Sequence, residues 1–325
     1  GAVVVVFLHN VPYKWFQVFP VFLYPISLVL LAFVTLMGII TGDRVNGAAR
    51  WMTFMGLQFQ PSELAKMAVI IAVSFILSKR QDEEGANPKA FKYIMILTGL
   101  VLLLIAPENL STAMLLFGVV FMMMFIGRVA AKKLLLLAGG LVLIVALGVG
   151  TVVAIPAKTL HNTPGLHRLE TWQNRIKGFF DKDEVPAAKF DIDKDAQIAH
   201  ARIAIATSHV VGKGPGNSIQ RDFLSQAFSD FIFAIVIEEM GLIGGIFVVF
   251  LYLCLLMRAG RIAQKCERTF PAFLVMGIAL LLVSQAILNM MVAVGLFPVT
   301  GQPLPLVSKG GTSTLINCAY IGMIL

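Results

Sequence analysis

Long apolar runs separated by short polar loops organise this chain. The runs lie at roughly 17–40, 61–78, 92–107, 110–127, 133–155, 231–257, 271–295 and 306–325. A helix that crosses a bilayer needs about 20 apolar residues, so each run predicts a spanning helix. Residues 1–9 read as the tail of a further helix, too short to span. No basic region and cleavage site precede that stretch, so it is not a signal peptide. The last run reaches the final residue, and both ends read as truncated.

Composition agrees with the pattern. Of 325 residues, 58% are hydrophobic and 14% charged, against about 25% charged in soluble domains. The prediction is an all-α, polytopic integral membrane protein, a single membrane domain over residues 1–325. The net charge of +8 comes from where the bases sit and does not point to nucleic acid. Lys14, then Lys79, Arg80, Lys89 and Lys92, then Arg128, Lys132 and Lys133, then Arg258, Arg261, Lys265 and Arg268 fall on one side of the alternating loops. The opposite short loops hold only Arg44, Arg50 and Lys309. Basic loops stay in the cytoplasm, so residue 1 starts outside and one preceding helix is expected, making ten in all. The long segment 156–229, between helices seven and eight, then lies outside, with ten basic and eight acidic residues. Within it, 196–206 reads as a short amphipathic helix lying at the membrane interface.

Cysteine and histidine chemistry is sparse. Cys254, Cys266 and Cys318 form no CxxC, and the histidines show no HxxxH spacing, which argues against a disulfide framework and a zinc site. Asp191, Asp193 and Asp195 imitate the start of a calcium loop, but Ala196 and Arg202 occupy its required Gly and Glu positions.

Carboxylates are the informative groups. Asp230 opens the apolar run Phe231–Met240, which also contains Glu238 and Glu239. Ionisable groups at membrane depth cost a few kcal/mol and usually face a cavity or a partner. Asp230 could be the N-cap of its helix or a catalytic base at the outer membrane face. On a helix through all three, Glu238 would sit about 12 Å below Asp230 and ~80° round from it. Glu238 could therefore share its cavity, while Glu239 faces away and pairs with another helix; for both, a structural ion pair is the favoured reading.

In Gln60-Pro61-Ser62-Glu63-Leu64-Ala65-Lys66, Pro61 suits a first helical turn and Glu63 can pair with Lys66 on one face. Lys66 could instead bind a pyrophosphate, or hold Asp230 ionised, since a nearby cation lowers a carboxyl pKa. Pro107–Thr112 reads as an outer turn in which Ser111 or Thr112 caps the next helix. Ser308, Lys309, Gly310 and Gly311 precede the last helix, where free amides make an anion site plausible beside a simple Gly turn. Gly212–Ser218 is Gly-rich but matches neither GxGxxG nor a Walker A, and reads as a flexible loop or turn at the pocket rim.

Taken together, Asn46–Trp51, Gln60–Glu63 with Lys66, Pro107–Thr112, Arg175–Asp181, Gly212–Gln220, Asp230–Ala234 with Glu238 and Glu239, and Pro298–Ser313 resemble, in order and over essentially the whole chain, the SEDS family (FtsW/RodA/SpoVE) of bacterial cell-wall synthesis. Three segments depart from its usual pattern. Pro107–Thr112 replaces Pro-Asp-x-Gly-Thr, Ser225–Ser229 replaces Pro-Glu-Ala-His-Thr, and Lys309 stands where Tyr is usual. The segment around His9-Asn10 and Asn46–Trp51 sides with the division-type branch, and Pro298–Gly301 with the elongation-type.

The resemblance implies ten helices and a peptidoglycan glycosyltransferase that polymerises lipid II, with inversion, on the outer face of the bacterial cytoplasmic membrane at the division septum. Asp230 would be the catalytic base. Arg50, Glu63, Lys66, Ser308, Lys309, Gly310 and Gly311 would bind the substrate, with Glu238 and Glu239 in support. A divalent cation (Mg or Mn) could assist the leaving group, with no organic cofactor. Expected partners are undecaprenyl-pyrophosphate-linked glycan, a class B penicillin-binding protein and other divisome membrane proteins. A lipid II flippase, an elongation-type polymerase and a non-catalytic scaffold remain alternatives.

Overall fold

Apolar length decides the architecture. The computed structural model describes residues 1–40, 52–54, 57–82, 85–154, 173, 196–224 and 228–325. Its helices are α1 (Ala2–His9), α2 (Tyr13–Ile40), α3 (Pro61–Lys79), α4 (Pro88–Ile105), α5 (Leu110–Ile126), α6 (Ala131–Ala154), α7 (Ala196–Thr207), α8 (Ile232–Lys265), α9 (Thr269–Ala293) and α10 (Gly311–Ile324). Among the described residues, α2, α3, α4, α6, α8 and α9 are long and apolar enough to cross a membrane, and α5 is a shorter apolar helix. Each predicted run thus contains a helix, and the chain is an all-α, multi-pass membrane protein. Two small antiparallel ladders interrupt this plan, β1 (Met52–Phe54) with β2 (Leu57–Phe59) and β3 (Gln81–Asp82) with β4 (Gly85–Ala86). Most of the predicted outer loop, including 174–195, lies outside the described residues.

Helix starts follow local chemistry. Pro occupies the first turn of α3 and α4, where a missing N–H costs nothing. Asn87 and Asn109 cap α4 and α5, their side chains accepting from the amides of Lys89 (3.0 Å) and Thr112 (3.2 Å). The expected cap at Ser111 or Thr112 is corrected: Asn109 takes it, because Thr112 lies inside the helix as the donor. The last helix begins at Gly311 rather than near 306. The residues ahead of it are a turn, with Leu306 in the left-handed region at φ 66°.

The chain divides into two compact units, one of Gly1–Gln173, Arg258–Leu281 and Gly311–Leu325, the other of Asn174–Met257 and Leu282–Gly310. In the first, α3 is the core helix, most of its residues being buried, whereas α6 is largely exposed. The exposed apolar faces, such as Leu135, Leu136, Val142 and Ile144 on α6, suit a hydrocarbon solvent. In the second, Ala201 and Ala204 of α7 pack into a core with Leu224, Phe231, Phe233, Ala286 and Leu304. The expected amphipathic helix thus packs one face into this core, while Arg202, Ile203, Ala206 and Thr207 stay exposed on the other. Its apolar face consists of small residues, and these admit close neighbours.

The break in α8 is the other feature that positions the site. Gly241 has φ 70° and ψ −172°, a conformation that Gly alone adopts without strain. A break leaves helix carbonyls and amides without their own partners. Here the segment 209–214 supplies them. Lys213 N and Gly214 N donate to the carbonyls of Glu238 (2.9 Å) and Glu239 (2.8 Å), while Leu242 N and Ile243 N donate to His209 and Val210. Packing is so close that a Cβ on Gly241 would meet the Val210 carbonyl at 2.2 Å. Gly212–Ser218, expected to be a flexible loop or turn, contains a turn at 215–216 and is bonded to the helix break.

Candidate active site

Asp230 sits in the turn 228–231 that precedes α8, not on the helix. The helical geometry expected between it and Glu238 therefore does not hold. Its turn is anchored through the backbone. Asn289 on α9 donates from Nδ2 to the carbonyl of Asp230 (2.9 Å) and to that of Gln302 (2.7 Å). Ser308 donates from Oγ to the Ser229 carbonyl (2.7 Å), and the Lys309 amide donates to the Phe228 carbonyl (2.8 Å). The Ser229 hydroxyl donates to Asp230 Oδ1 (3.0 Å). Asp230 as a whole is half-buried.

A second tier fixes the irregular segment 302–308 that holds the turn. Gln285 Nε2 donates to the Pro303 carbonyl (3.0 Å), the Tyr252 hydroxyl donates to the Pro305 carbonyl, and Ser308 Oγ accepts from Leu304 N (2.7 Å). Non-helical backbone at membrane depth needs such partners. Sequence reading overlooked Gln285, Asn289 and Tyr252. The legible signal was a pair of amide side chains four apart on an otherwise apolar helix, which face the same way.

Glu238 is fully buried and densely bonded. Lys213 Nζ lies 2.6 Å from Oε1; the Ser218 hydroxyl and the amides of Ile219 and Gln220 complete the set, the amides at 3.3 Å. A buried carboxylate is tolerable only with that degree of pairing. Glu238 thus ties the Gly-rich insert to the helix, which makes it a positioning residue rather than a cavity lining. Glu239 is half-buried, and its side chain forms no ion pair with a described residue. Its backbone carbonyl accepts from the Gly214 amide.

The remaining candidates divide. Lys66 and Glu63 form the expected pair at 2.8 Å, both buried, in the first unit. Lys309 is exposed, Gly310 half-buried and Gly311 exposed at the start of α10, where open space surrounds the position of a Cβ. Ser308 is buried and uses its hydroxyl within the protein, so its expected substrate role becomes one of positioning. Arg50 lies outside the described residues. No group of three or more His, Cys, Asp or Glu that could hold a metal ion occurs among the described residues, so a protein-built divalent site does not fit them.

The family model FTSW_RODA_SPOVE, described as a cell cycle protein, matches residues 1–325. Two similar relatives carry the name probable peptidoglycan glycosyltransferase FtsW. One, from Trichlorobacter lovleyi, is 33% identical over 100% of this chain and 80% of its own length. The other, from a Geobacter species, is 34% identical over 98% of this chain and 79% of its own length. Among solved structures, a chain from a study of how a peptidoglycan synthase complex coordinates polymerization and crosslinking is similar at TM-score 0.74 and 25% identity. It covers 99% of this chain and 84% of that one. Rod shape determining protein RodA of Thermus thermophilus shares the fold at TM-score 0.65 and 24% identity, over 100% of this chain and 82% of that one.

Fold and site together define a multi-pass, all-α membrane protein with a braced acidic turn at a helix start. Within that class, the chain belongs to the FtsW/RodA/SpoVE family.

Proposed function

We propose that this protein is a peptidoglycan glycosyltransferase of the division type, polymerising lipid II with Asp230 as general base. The 4-hydroxyl of one lipid-linked disaccharide attacks the anomeric carbon of another. A C–O bond forms there with inversion as the bond to the pyrophosphate oxygen breaks, undecaprenyl pyrophosphate leaves, and the hydroxyl proton passes to Asp230. A positioned base contributes about 10²–10⁴-fold. The observation that carries the reading is the Asp230 turn: its backbone is tied at consecutive residues by Lys309 N, Ser308 and Asn289, with Asp230 itself half-buried. Such bracing is what catalysis through a fixed geometry requires.

Lys309 is the proposed cation for the departing pyrophosphate, with the amides of Gly310 and Gly311 at the start of α10 as additional donors. A Mg or Mn ion would serve as a counter-ion carried by that pyrophosphate. The proposed setting is the bacterial cytoplasmic membrane at the septum, alongside a class B penicillin-binding protein and other divisome proteins. The relatives' names and the likeness to a chain of a peptidoglycan synthase complex support this reading.

The test is polymer formation from lipid II by purified protein with its partner and Mg or Mn. Asp230→Asn is expected to lower the rate at least about 10²-fold with folding unchanged. Polymer at the parental rate from a folded Asp230→Asn protein removes Asp230 as the base.

A further inference from the structure

The first unit holds a pocket that the proposed reaction does not use. It has a volume of about 390 Å³ and lies between α2, α3 and α4, lined by Tyr24, Phe75, Ile76, Tyr93, Ile96, Leu97 and Leu100, with Lys79 and Arg80 at one end. That volume is within the range of small-molecule sites. Ile96 and Leu100 are about half exposed on the apolar outer surface, so the pocket opens sideways toward hydrocarbon. Its inner wall is fixed by the Tyr24 hydroxyl, which donates to the Leu97 carbonyl at 2.8 Å.

The two cations stand where α3 ends, on the side that the loop charges assign to the cytoplasm. Neither forms an ion pair with a described residue; Arg80 lies 4.4 Å over the Tyr93 ring, which holds its guanidinium toward the pocket mouth. The acids nearest in sequence are Asp82, whose carboxylate accepts from the Asn87 amide at 3.1 Å, and Glu83 and Glu84, outside the described residues. Lys89 and Lys92 are exposed on the first turns of α4, close by in sequence. An apolar slot open to lipid, closed at its cytoplasmic end by two cations, has the chemistry of one acyl chain and an anionic phosphate. Basic pockets between membrane helices on the cytoplasmic side bind acidic lipid head groups.

We propose that this pocket binds an anionic phospholipid of the inner leaflet, one acyl chain along Phe75, Ile96 and Leu100 and the phosphate on Lys79 and Arg80. The site is separate from the proposed catalytic turn and does not depend on it.

Native mass spectrometry of the purified protein, with phosphatidylglycerol and phosphatidylethanolamine of identical chains, tests this. Phosphatidylglycerol is expected to be retained in preference, and Lys79→Gln with Arg80→Gln to reduce that preference about tenfold or more. The paired change Lys89→Gln and Lys92→Gln removes equal charge outside the pocket and is expected to leave it intact. Leu100→Trp fills the slot from its exposed rim, keeps both cations, and is expected to abolish retention; it also serves if the double variant fails to fold. The proposal falls if Leu100→Trp retains the lipid, if both paired variants act equally, or if glycerol phosphate alone competes as well as the whole lipid.

Discussion

Asn289 shows how one side chain can control a reaction it does not touch. Its amide nitrogen joins the Asp230 carbonyl to that of Gln302, so Asn289→Ala removes two bonds and releases the turn. The expected cost is about 1–3 kcal/mol of stability, together with a lower polymerisation rate and an unchanged KM for lipid II. Parallel thermal unfolding and rate measurements check the pair of outcomes. Ser308→Ala should act in the same direction, since its hydroxyl serves Ser229 and Leu304 at once. Glu238 is a different case. Replacing it with Ala strands Lys213 and Ser218, along with two backbone amides. Breaking a buried pair by removing one partner costs about 3–5 kcal/mol, and Lys213, partly exposed, recovers some of that in water. Glu238→Ala should therefore lower the unfolding temperature more than Glu239→Ala, whose side chain forms no ion pair with a described residue.

At the scale of elements, the break in α8 and the segment 209–214 form one unit. The helix offers unsatisfied carbonyls and the loop supplies amides, and each depends on a glycine in the left-handed half of the backbone map. Gly241→Ala would strain the backbone by about 1–3 kcal/mol and press a Cβ to 2.2 Å from the Val210 carbonyl. Gly212→Ala meets Gly241 N at 2.3 Å. Either variant is expected to destabilise the protein measurably in a thermal-shift assay, whereas Ala at Gly216, with open space around it, should meet only the backbone penalty. A Gly216→Ala protein as damaged as Gly241→Ala would remove the close approach as the explanation.

Across the whole molecule, sidedness is the property that can be checked most directly. The α4–α5 turn at Glu108 should face outside, and the α8–α9 loop at Cys266 inside. With Cys254 and Cys318 replaced by Ala, a membrane-impermeant maleimide should label Glu108→Cys in intact cells and reach Cys266 only after permeabilisation. Burial pushes the Cys266 thiol above its ordinary value. The reactive thiolate is thus scarce at neutral pH, and labelling should quicken as pH rises toward that higher value. Labelling of Cys266 in intact cells would invert the arrangement.

The sequence by itself determined the membrane class, the helix runs and their order, because apolar length and loop charge are local quantities that any bilayer reads alike. It also marked Asp230, Glu238 and the Glu63–Lys66 pair, since charges in apolar runs are costly enough to stand out. Tertiary structure decided what those groups do. That Glu238 is held by Lys213 and Ser218, that Asn289 and Ser308 brace the Asp230 turn, and that α7 packs its Ala201 and Ala204 face into the core all depend on contacts between residues far apart in sequence. Hydrogen-bond partners across such separations leave no periodic trace along the chain, so only the folded arrangement could reveal them.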